Sequence, residues 1–120
     1  MVIADHHAAF RAGIRAALEA DGFEVVGEAE TGEDSVRMAE ELAPDLVLMD
    51  VNLPGINGLD ATRQILAGSS PVVVLLLSTY EEEEYAPRAA ECGAAAYIPK
   101  SAFGPDRLEA AWEAAAPATG

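Results

Sequence analysis

Leu46-Val47-Leu48-Met49-Asp50-Val51-Asn52-Leu53-Pro54-Gly55-Ile56-Asn57-Gly58 is the stretch that decides the fold. Four aliphatic residues in a row, with no polar face, describe a strand covered on both sides, the habit of parallel sheets. The run ends in a carboxylate, Asp50. Behind it Pro54, Gly55 and Gly58 are the punctuation of a loop, and residues 59–67 carry a helical pattern. Buried strand, acid at its carboxyl end, loop, helix: this is one β-α unit.

The same unit recurs on either side. Val2-Ile3-Ala4 is a short apolar run, followed by Phe10, Ile14 and Leu18 four residues apart, the spacing of one helix face. Asp21-Gly22 stops that helix. Residues 23–28 read as the second strand, with Val25 and Val26 at its centre. Thr31 offers an N-cap oxygen three residues before Asp34, Val36, Ala39 and Ala43 form an inward stripe, and Pro44 ends the helix. After Gly68-Ser69-Ser70-Pro71, residues 72–77 are the most apolar stretch of the chain and predict a strand covered on both faces. A helix from near Glu81 closes at Cys92-Gly93. A last strand near residues 95–98 leads to Pro99-Lys100, and a helix from Pro105 carries Leu108, Ala111, Trp112 and Ala115.

Five such units predict an α/β fold, a doubly wound parallel sheet with helices on both faces and right-handed crossovers. The first and third strands have no polar face and belong inside, whereas Glu24 and Glu28 suit the second to an edge. The flavodoxin-like order 2-1-3-4-5 follows. Residues 1–116 form one domain on this reading, with residues 117–120 a terminal end or the start of a linker.

Composition sets limits on function. The chain has 120 residues, of which 51% are hydrophobic, enough for one core. No apolar stretch is long enough to span a bilayer and no signal peptide is evident, so no membrane role is expected. The single cysteine, Cys92, cannot pair within the chain, which suits a reducing cytoplasm, and it reads as a small buried hydrophobe. A net charge of −14 argues against gripping nucleic acid directly, because such binding neutralises phosphates with Lys and Arg.

Ligands of open parallel sheets bind beyond the carboxyl ends of the strands, where the strand order reverses. At those ends stand Asp5-His6-His7, Asp50 with Asn52, Ser78-Thr79, and Lys100-Ser101. Clustered carboxylates hold a proton or a cation. Mg²⁺ takes oxygen ligands, commonly one or two carboxylates with phosphate and water. A carboxylate so screened can attack phosphorus and form an aspartyl phosphate. Phosphoryl transfer asks mainly for positioning and charge neutralisation, which a metal and Lys100 supply, while Ser78 can hydrogen-bond the transferred group.

These residues and their spacing resemble the response-regulator receiver family over essentially the whole chain. The resemblance rests on Asp5, on Asp50 with Asn52, Pro54 and Gly58, on Ser78, and on Tyr97-Ile98-Pro99-Lys100. It implies that Asp50 is the phosphoacceptor, that Asp5, Asp50 and the backbone carbonyl of Asn52 bind Mg²⁺, and that Lys100 pairs with phosphoryl oxygens. Ser78 and Tyr97 would be the switch residues. The implied protein is not an enzyme with a separate substrate but a phosphoacceptor that assists its own phosphoryl transfer and hydrolysis. A sensor histidine kinase or a small phosphodonor would load it, and the face around the fourth helix, fifth strand and last helix would change its preference for a partner, a second copy among them. His7-Ala8-Ala9-Phe10-Arg11, Val26-Gly27-Glu28-Ala29 and Ser78-Thr79-Tyr80-Glu81 resemble the NarL/LuxR-like branch. Members of that branch usually carry a C-terminal helix-turn-helix domain, so DNA would be reached through a domain not in this chain, which is then a fragment or a stand-alone receiver.

His6 departs from the family, which normally carries a second acid there in contact with the metal. Imidazole suits Zn²⁺, Ni²⁺ or Cu²⁺ better than Mg²⁺. Mg²⁺ therefore binds weakly through Asp5, Asp50 and water, or a softer metal replaces it, or a protonated His6 partly stands in for the cation. Reduced Mg²⁺ affinity is the expectation.

Blander readings stand beside each of these. A lone Asp at a strand end is ordinarily a solvated loop residue or cap. Ser78 or Thr79 can cap the fourth helix, Tyr97 can be a packed aromatic, and Glu81 to Glu84 complement a helix N-terminus. His6 and His7 read as loop residues rather than a metal pair, since neighbours on a turn seldom point the same way. A bulky Tyr80 beside the water path would slow hydrolysis of the phosphoryl group. Three functions compete: a phospho-switch, a degenerate receiver serving as a phosphorylation-independent dimerisation or ligand-regulated module, and a flavodoxin-like redox protein or small enzyme. The last is weakest, because no phosphate-cradling glycine loop and no nucleophile–base pair is evident.

Overall fold

The computed structural model describes residues 1–68, 71–79 and 82–115, and for 82–86 the backbone alone. Five parallel strands lie in the order β2-β1-β3-β4-β5. They are β1 (Val2–Ala4), β2 (Gly27–Ala29), β3 (Leu46–Asp50), β4 (Val73–Ser78) and β5 (Ala96–Pro99), alternating with α1 (Ala8–Ala20), α2 (Gly32–Leu42), α3 (Gly58–Leu66), α4 (Glu82–Cys92) and α5 (Pro105–Ala115). The flavodoxin-like order expected from the polarity of the strands is the observed one.

Side-chain alternation divides the core in two. Val2, Ala4, Val47, Met49, Val74, Leu76 and Tyr97 turn to one face, where Ala39, Ala61, Ile65, Ala89 and Cys92 of α2, α3 and α4 meet them. Ile3, Leu46, Leu48, Leu75, Leu77 and Ile98 turn to the other, against Leu18 of α1 and Leu108 of α5. Successive strand residues point to opposite faces, so an unbroken aliphatic run is what a sheet covered on both sides requires. Cys92 is buried and free, as expected of a small hydrophobe.

The caps follow local chemistry. The Thr31 hydroxyl accepts a hydrogen bond from the Asp34 N–H at 3.1 Å, as its spacing predicts. Asn57, which the sequence reading passed over, caps α3 in the same way on the Asp60 N–H at 2.9 Å. Gly22 and Gly93 follow α1 and α4 with positive φ, where glycine carries no steric cost.

Several boundaries differ from expectation. The second strand is Gly27–Ala29 rather than residues 23–28, and Val26 is 45% exposed. Its pairing with β1 begins at Val2 opposite Gly27, so residues 23–26 run past the end of that strand. They touch it through Val26 N–H to the Met1 carbonyl and the Met1 amine to the Glu24 carbonyl. Ala43 is not part of the inward stripe of α2; it is an exposed left-handed cap with φ 45°. A 3-10 turn, Lys100–Ala102, follows β5 without having been anticipated. Tyr80, Glu81 and residues 117–120 lie outside the described residues, as do the side chains of Glu82, Glu83 and Glu84. Among the described residues no helix is long and apolar enough to cross a membrane.

Candidate functional site

Two aspartates end two neighbouring strands in the same manner. Asp5 follows β1, and its Oδ1 accepts the backbone N–H of His7, two residues on, at 2.8 Å. Asp50 ends β3, and its Oδ1 accepts the backbone N–H of Asn52, again two residues on, at 3.1 Å. In both cases a short carboxylate closes a turn on its own backbone, which is why Asp suits the end of a strand. Both residues are only 1% exposed. That removes the reading of either as a solvated loop residue, and the N-cap of α1 is His7, not Asp5.

With each Oδ1 occupied locally, each Oδ2 is left to face the same cation. The Lys100 ammonium stands 2.6 Å from Asp5 Oδ2 and 3.3 Å from Asp50 Oδ2. It also lies 4.3 Å from the centre of the Phe10 ring, whose face favours a cation. One positive charge between two buried carboxylates leaves a net negative pocket when the imidazoles are neutral. Asp5 Oδ2 is buried and has this ammonium as its close ion-pair partner.

Both histidines turn into this pocket. His6 Nδ1 lies 3.9 Å from Asp50 Oδ2, and His7 Nδ1 lies 3.2 Å from Asp5 Oδ1. Their ring centres are 3.9 Å apart. The expectation that adjacent turn residues diverge is therefore corrected. The bond from His7 N–H to Asp5 Oδ1 folds the turn tightly enough to bring both rings to one side. Asp5, His6, His7 and Asp50 together form a group that could hold a metal ion.

The loop behind Asp50 is held by glycine. A Cβ on Gly58 would overlap the Asp50 carbonyl oxygen, and the Gly58 N–H donates to the Val51 carbonyl at 2.9 Å. The start of α3 therefore rests directly on the backbone of Asp50, an approach that glycine permits. A Cβ on Gly32 would likewise overlap the Ile56 carbonyl, while the Ile56 N–H donates to Glu33 at 2.8 Å. The first turn of α2 thus braces the same loop.

Ser78 is fully buried at the end of β4, one residue beyond the rung pairing Leu77 with Asp50, and Thr79 beside it is exposed. Tyr97 is 4% exposed, pairs with Leu76, and packs in the α2–α4 half of the core three residues before Lys100. Asn52 is exposed and contributes its N–H to Asp50.

Arg11 is the site residue that sequence reasoning missed. It is buried in α1, and its Nη1 donates to the Asp5 carbonyl at 2.5 Å. Nε and Nη2 reach Glu28 and Glu30, both at 3.1 Å. The guanidinium thus ties the turn carrying Asp5 to the end of β2. The one signal available was a pair of acids two residues apart at that end, since charged residues this well buried are paired. Arg15 also binds Glu28, at 2.6 Å, and this bond, ahead of the Arg11 contacts, holds the Glu28 carboxyl below the usual range against the opposing effect of partial burial.

The chain matches the family described as "Response regulator receiver domain" over residues 1–113. It is 43% identical over 103 residues to response regulator GacA of Pseudomonas viridiflava, covering 85% of this chain and 48% of that protein. It is 42% identical to response regulator UvrY of Escherichia coli K12, covering 85% and 47%. The chain thus spans about half the length of these relatives. Among solved structures, the signal receiver domain of the putative response regulator NarL from Mycobacterium tuberculosis superposes with a TM-score of 0.86 at 30% identity, covering 95% of this chain and 93% of that one. A LuxR-family two-component response regulator from Aurantimonas sp. SI85-9A1 gives 0.82 at 34% identity, covering 94% and 81%. The chain belongs to the response regulator receiver domain family.

Proposed function

We propose that this domain accepts a phosphoryl group on the carboxylate of Asp50. The observation that carries the reading is the Lys100 ammonium shared between the buried Oδ2 atoms of Asp5 and Asp50. An oxygen of Asp50 attacks the phosphorus of a donor, a new P–O bond forms, and the bond from phosphorus to the donor's leaving atom breaks with its electron pair leaving on the donor. Such a transfer depends on charge neutralisation and alignment more than on covalent help from the protein. Lys100 supplies a fixed positive charge, and the Asn52 N–H orients the nucleophile through its other oxygen. Ser78, fully buried at the neighbouring strand end, is the hydroxyl proposed to hydrogen-bond the transferred group.

The oxygens of Asp5 and Asp50, with the backbone carbonyl of Asn52, suit a divalent cation, which would neutralise charge on the transferring group. The imidazole of His6 does not suit Mg²⁺, which prefers oxygen, so Mg²⁺ binds this pocket weakly. Phosphorylation would then rearrange Ser78 and Tyr97 and alter the face formed by α4, β5 and α5. Only a group that interacts differently with two states can shift them. A sensor histidine kinase or a small phosphodonor is the proposed source of the group, and a second copy of the domain or another protein is the proposed reader. With a net charge of −14, DNA would be reached through a separate domain.

The test is intact mass after incubation with a small phosphodonor, with and without a divalent cation, beside an Asp50→Asn control. A single phosphoryl increment that vanishes in the control is expected. Its absence in folded protein would favour the second reading, a phosphorylation-independent interaction module, for which His6 is the motivating residue.

A further inference from the structure

We propose that the Asp5–His6–Asp50 pocket is a site for a nitrogen-accepting divalent transition metal, Zn²⁺ or its Co²⁺ and Ni²⁺ counterparts, in place of Mg²⁺. The inference deepens the phosphoryl-acceptor reading by naming the cation and rests on it for its role, but it is tested separately, in unphosphorylated protein.

Donor chemistry comes first. Asp5, His6, His7 and Asp50 each bring one ligand atom to a group whose members all lie within 4.8 Å of one another. Two of these are carboxylate oxygens and two are imidazole nitrogens. Mixed sets of this kind suit Zn²⁺, Co²⁺ and Ni²⁺, whereas Mg²⁺ selects oxygen and keeps much of its water. Asp5, Asp50 and His6 supply three protein ligands, the number at which a zinc site keeps its fourth position open.

The geometry is close to what such an ion needs. Bonds of ~2.0–2.1 Å in a tetrahedral site set ligand atoms roughly 3.3 Å apart. His6 Nδ1 and Asp50 Oδ2 are 3.9 Å apart, and the His6 side chain is 40% exposed, so a small ring rotation closes the gap without disturbing the core. His7 has another part. Its N–H and its Nδ1 both lie against Asp5 Oδ1, which orients the carboxylate as outer partners of metal ligands do. Arg11 holds the same turn from beneath through the Asp5 carbonyl.

The charge balance also points to a cation. Asp5 Oδ2 is buried and has the Lys100 ammonium as its ion-pair partner at 2.6 Å. That one ammonium faces two carboxylates, so with neutral imidazoles a negative charge remains for a metal to balance.

The experiment titrates the full chain, stripped of metal, with Zn²⁺, Co²⁺ and Mg²⁺, by calorimetry and by the visible absorption of bound Co²⁺. Variants His6→Gln, His6→Asp, His7→Gln and Asp50→Asn are compared after circular dichroism has shown them folded. One equivalent of Zn²⁺ is expected, with affinity falling ~10-fold or more in both His6→Gln and Asp50→Asn. His6→Asp should move the Zn²⁺-to-Mg²⁺ affinity ratio toward Mg²⁺ by a similar factor, and His6→Gln should weaken the Co²⁺ bands. Zn²⁺ affinity unchanged in His6→Gln, or retained in Asp50→Asn and lost in His7→Gln, would overturn the proposal, since an exposed imidazole pair would then be binding alone. If the proposed metal site fails while Asp50 still gains a phosphoryl group, the phosphoryl-acceptor reading survives. If metal binds as expected but no increment forms, that reading fails by itself.

Discussion

Lys100, at the end of β5, pairs with Asp5, at the end of β1, at 2.6 Å, although β3 and β4 lie between those two strands. The lysine side chain spans the carboxyl edge of the sheet and meets Asp50 of β3 on the way, at 3.3 Å. It is therefore a structural strut as well as a charge. Removing one member of a buried, paired cluster leaves its partners uncompensated. Lys100→Gln should lower unfolding free energy by about 3 kcal/mol, as read from urea denaturation. Asp5→Asn combined with Lys100→Gln should cost much less than the sum of the two single changes. Additivity in that cycle would mean that the strut contributes nothing.

The glycines at the site and away from it should respond in opposite senses. A Cβ at Gly58 would overlap the carbonyl of Asp50, which is backbone and cannot swing aside. Gly58→Ala should cost about 2–3 kcal/mol, because the start of α3 must lift from β3. Phosphoryl uptake should fall with it. Gly13, within α1, has nothing near the added atom and an ordinary φ. Gly13→Ala should stabilise by about 0.5–1 kcal/mol through helix propensity and unfolded-chain entropy. Thermal melts of the two variants would separate these effects, and equal shifts would contradict the packing argument.

Much of this arrangement was legible in the sequence because strand burial and strand-end chemistry leave separable marks. Unbroken aliphatic runs at residues 46–49 and 72–77 announced central strands, and Glu28 of the second strand announced an edge, whereas Glu24 lies before that strand begins. What was not legible depended on partners far along the chain. Val25 and Val26 resembled a strand centre, yet where β2 begins is set by Val2 opposite Gly27, which no local pattern reveals. Arg11 stood in the sequence only as part of a stretch resembling the NarL/LuxR-like branch, and its burial is explained only once β2 delivers Glu28 and Glu30 to it. The paired turn of His6 and His7 escaped notice because Asp5 shapes it with a side-chain bond rather than a backbone one.

Arg11 is the brace most exposed to a conservative substitution. Lysine offers one point charge where the guanidinium makes three directed contacts, to the Asp5 carbonyl, Glu28 and Glu30. Arg11→Lys should cost about 1–2 kcal/mol in urea unfolding, and Arg11→Met more, since the buried Asp5 carbonyl would lose its donor. Both should weaken metal binding in the pocket by loosening the Asp5 turn. Unchanged metal affinity in a destabilised Arg11→Met would confine the residue to a purely structural role.

Acid stability should carry the signature of Glu28. Its carboxyl is held below the ordinary value of 4.5, first by the hydrogen bond from Arg15 and then by Arg11, with burial opposing them. A carboxyl whose folded-state value is depressed binds fewer protons in the folded chain than in the unfolded one. Its contribution is therefore complete above about pH 4.5 and is lost as pH falls through the lower, folded-state value. Glu28→Gln should be less stable than the parent at neutral pH and should lose less on acidification. Melting temperatures between pH 7 and pH 3 that run parallel in the two proteins would refute this.

On the proposed function, His6 should set how phosphoryl uptake depends on the cation supplied. In the parent an imidazole lies 3.9 Å from Asp50 Oδ2, where the family's usual second acid would offer Mg²⁺ an oxygen. His6→Asp adds that oxygen and a further negative charge, both of which favour Mg²⁺. Phosphoryl uptake from a small donor should therefore saturate at a lower Mg²⁺ concentration in His6→Asp than in the parent, by roughly 10-fold. The maximal extent should change less than the concentration needed to reach it, because Asp50 and Lys100 are untouched. If the two proteins share one Mg²⁺ dependence, the imidazole lies outside the working cation site, and Asp5, Asp50 and Lys100 suffice alone.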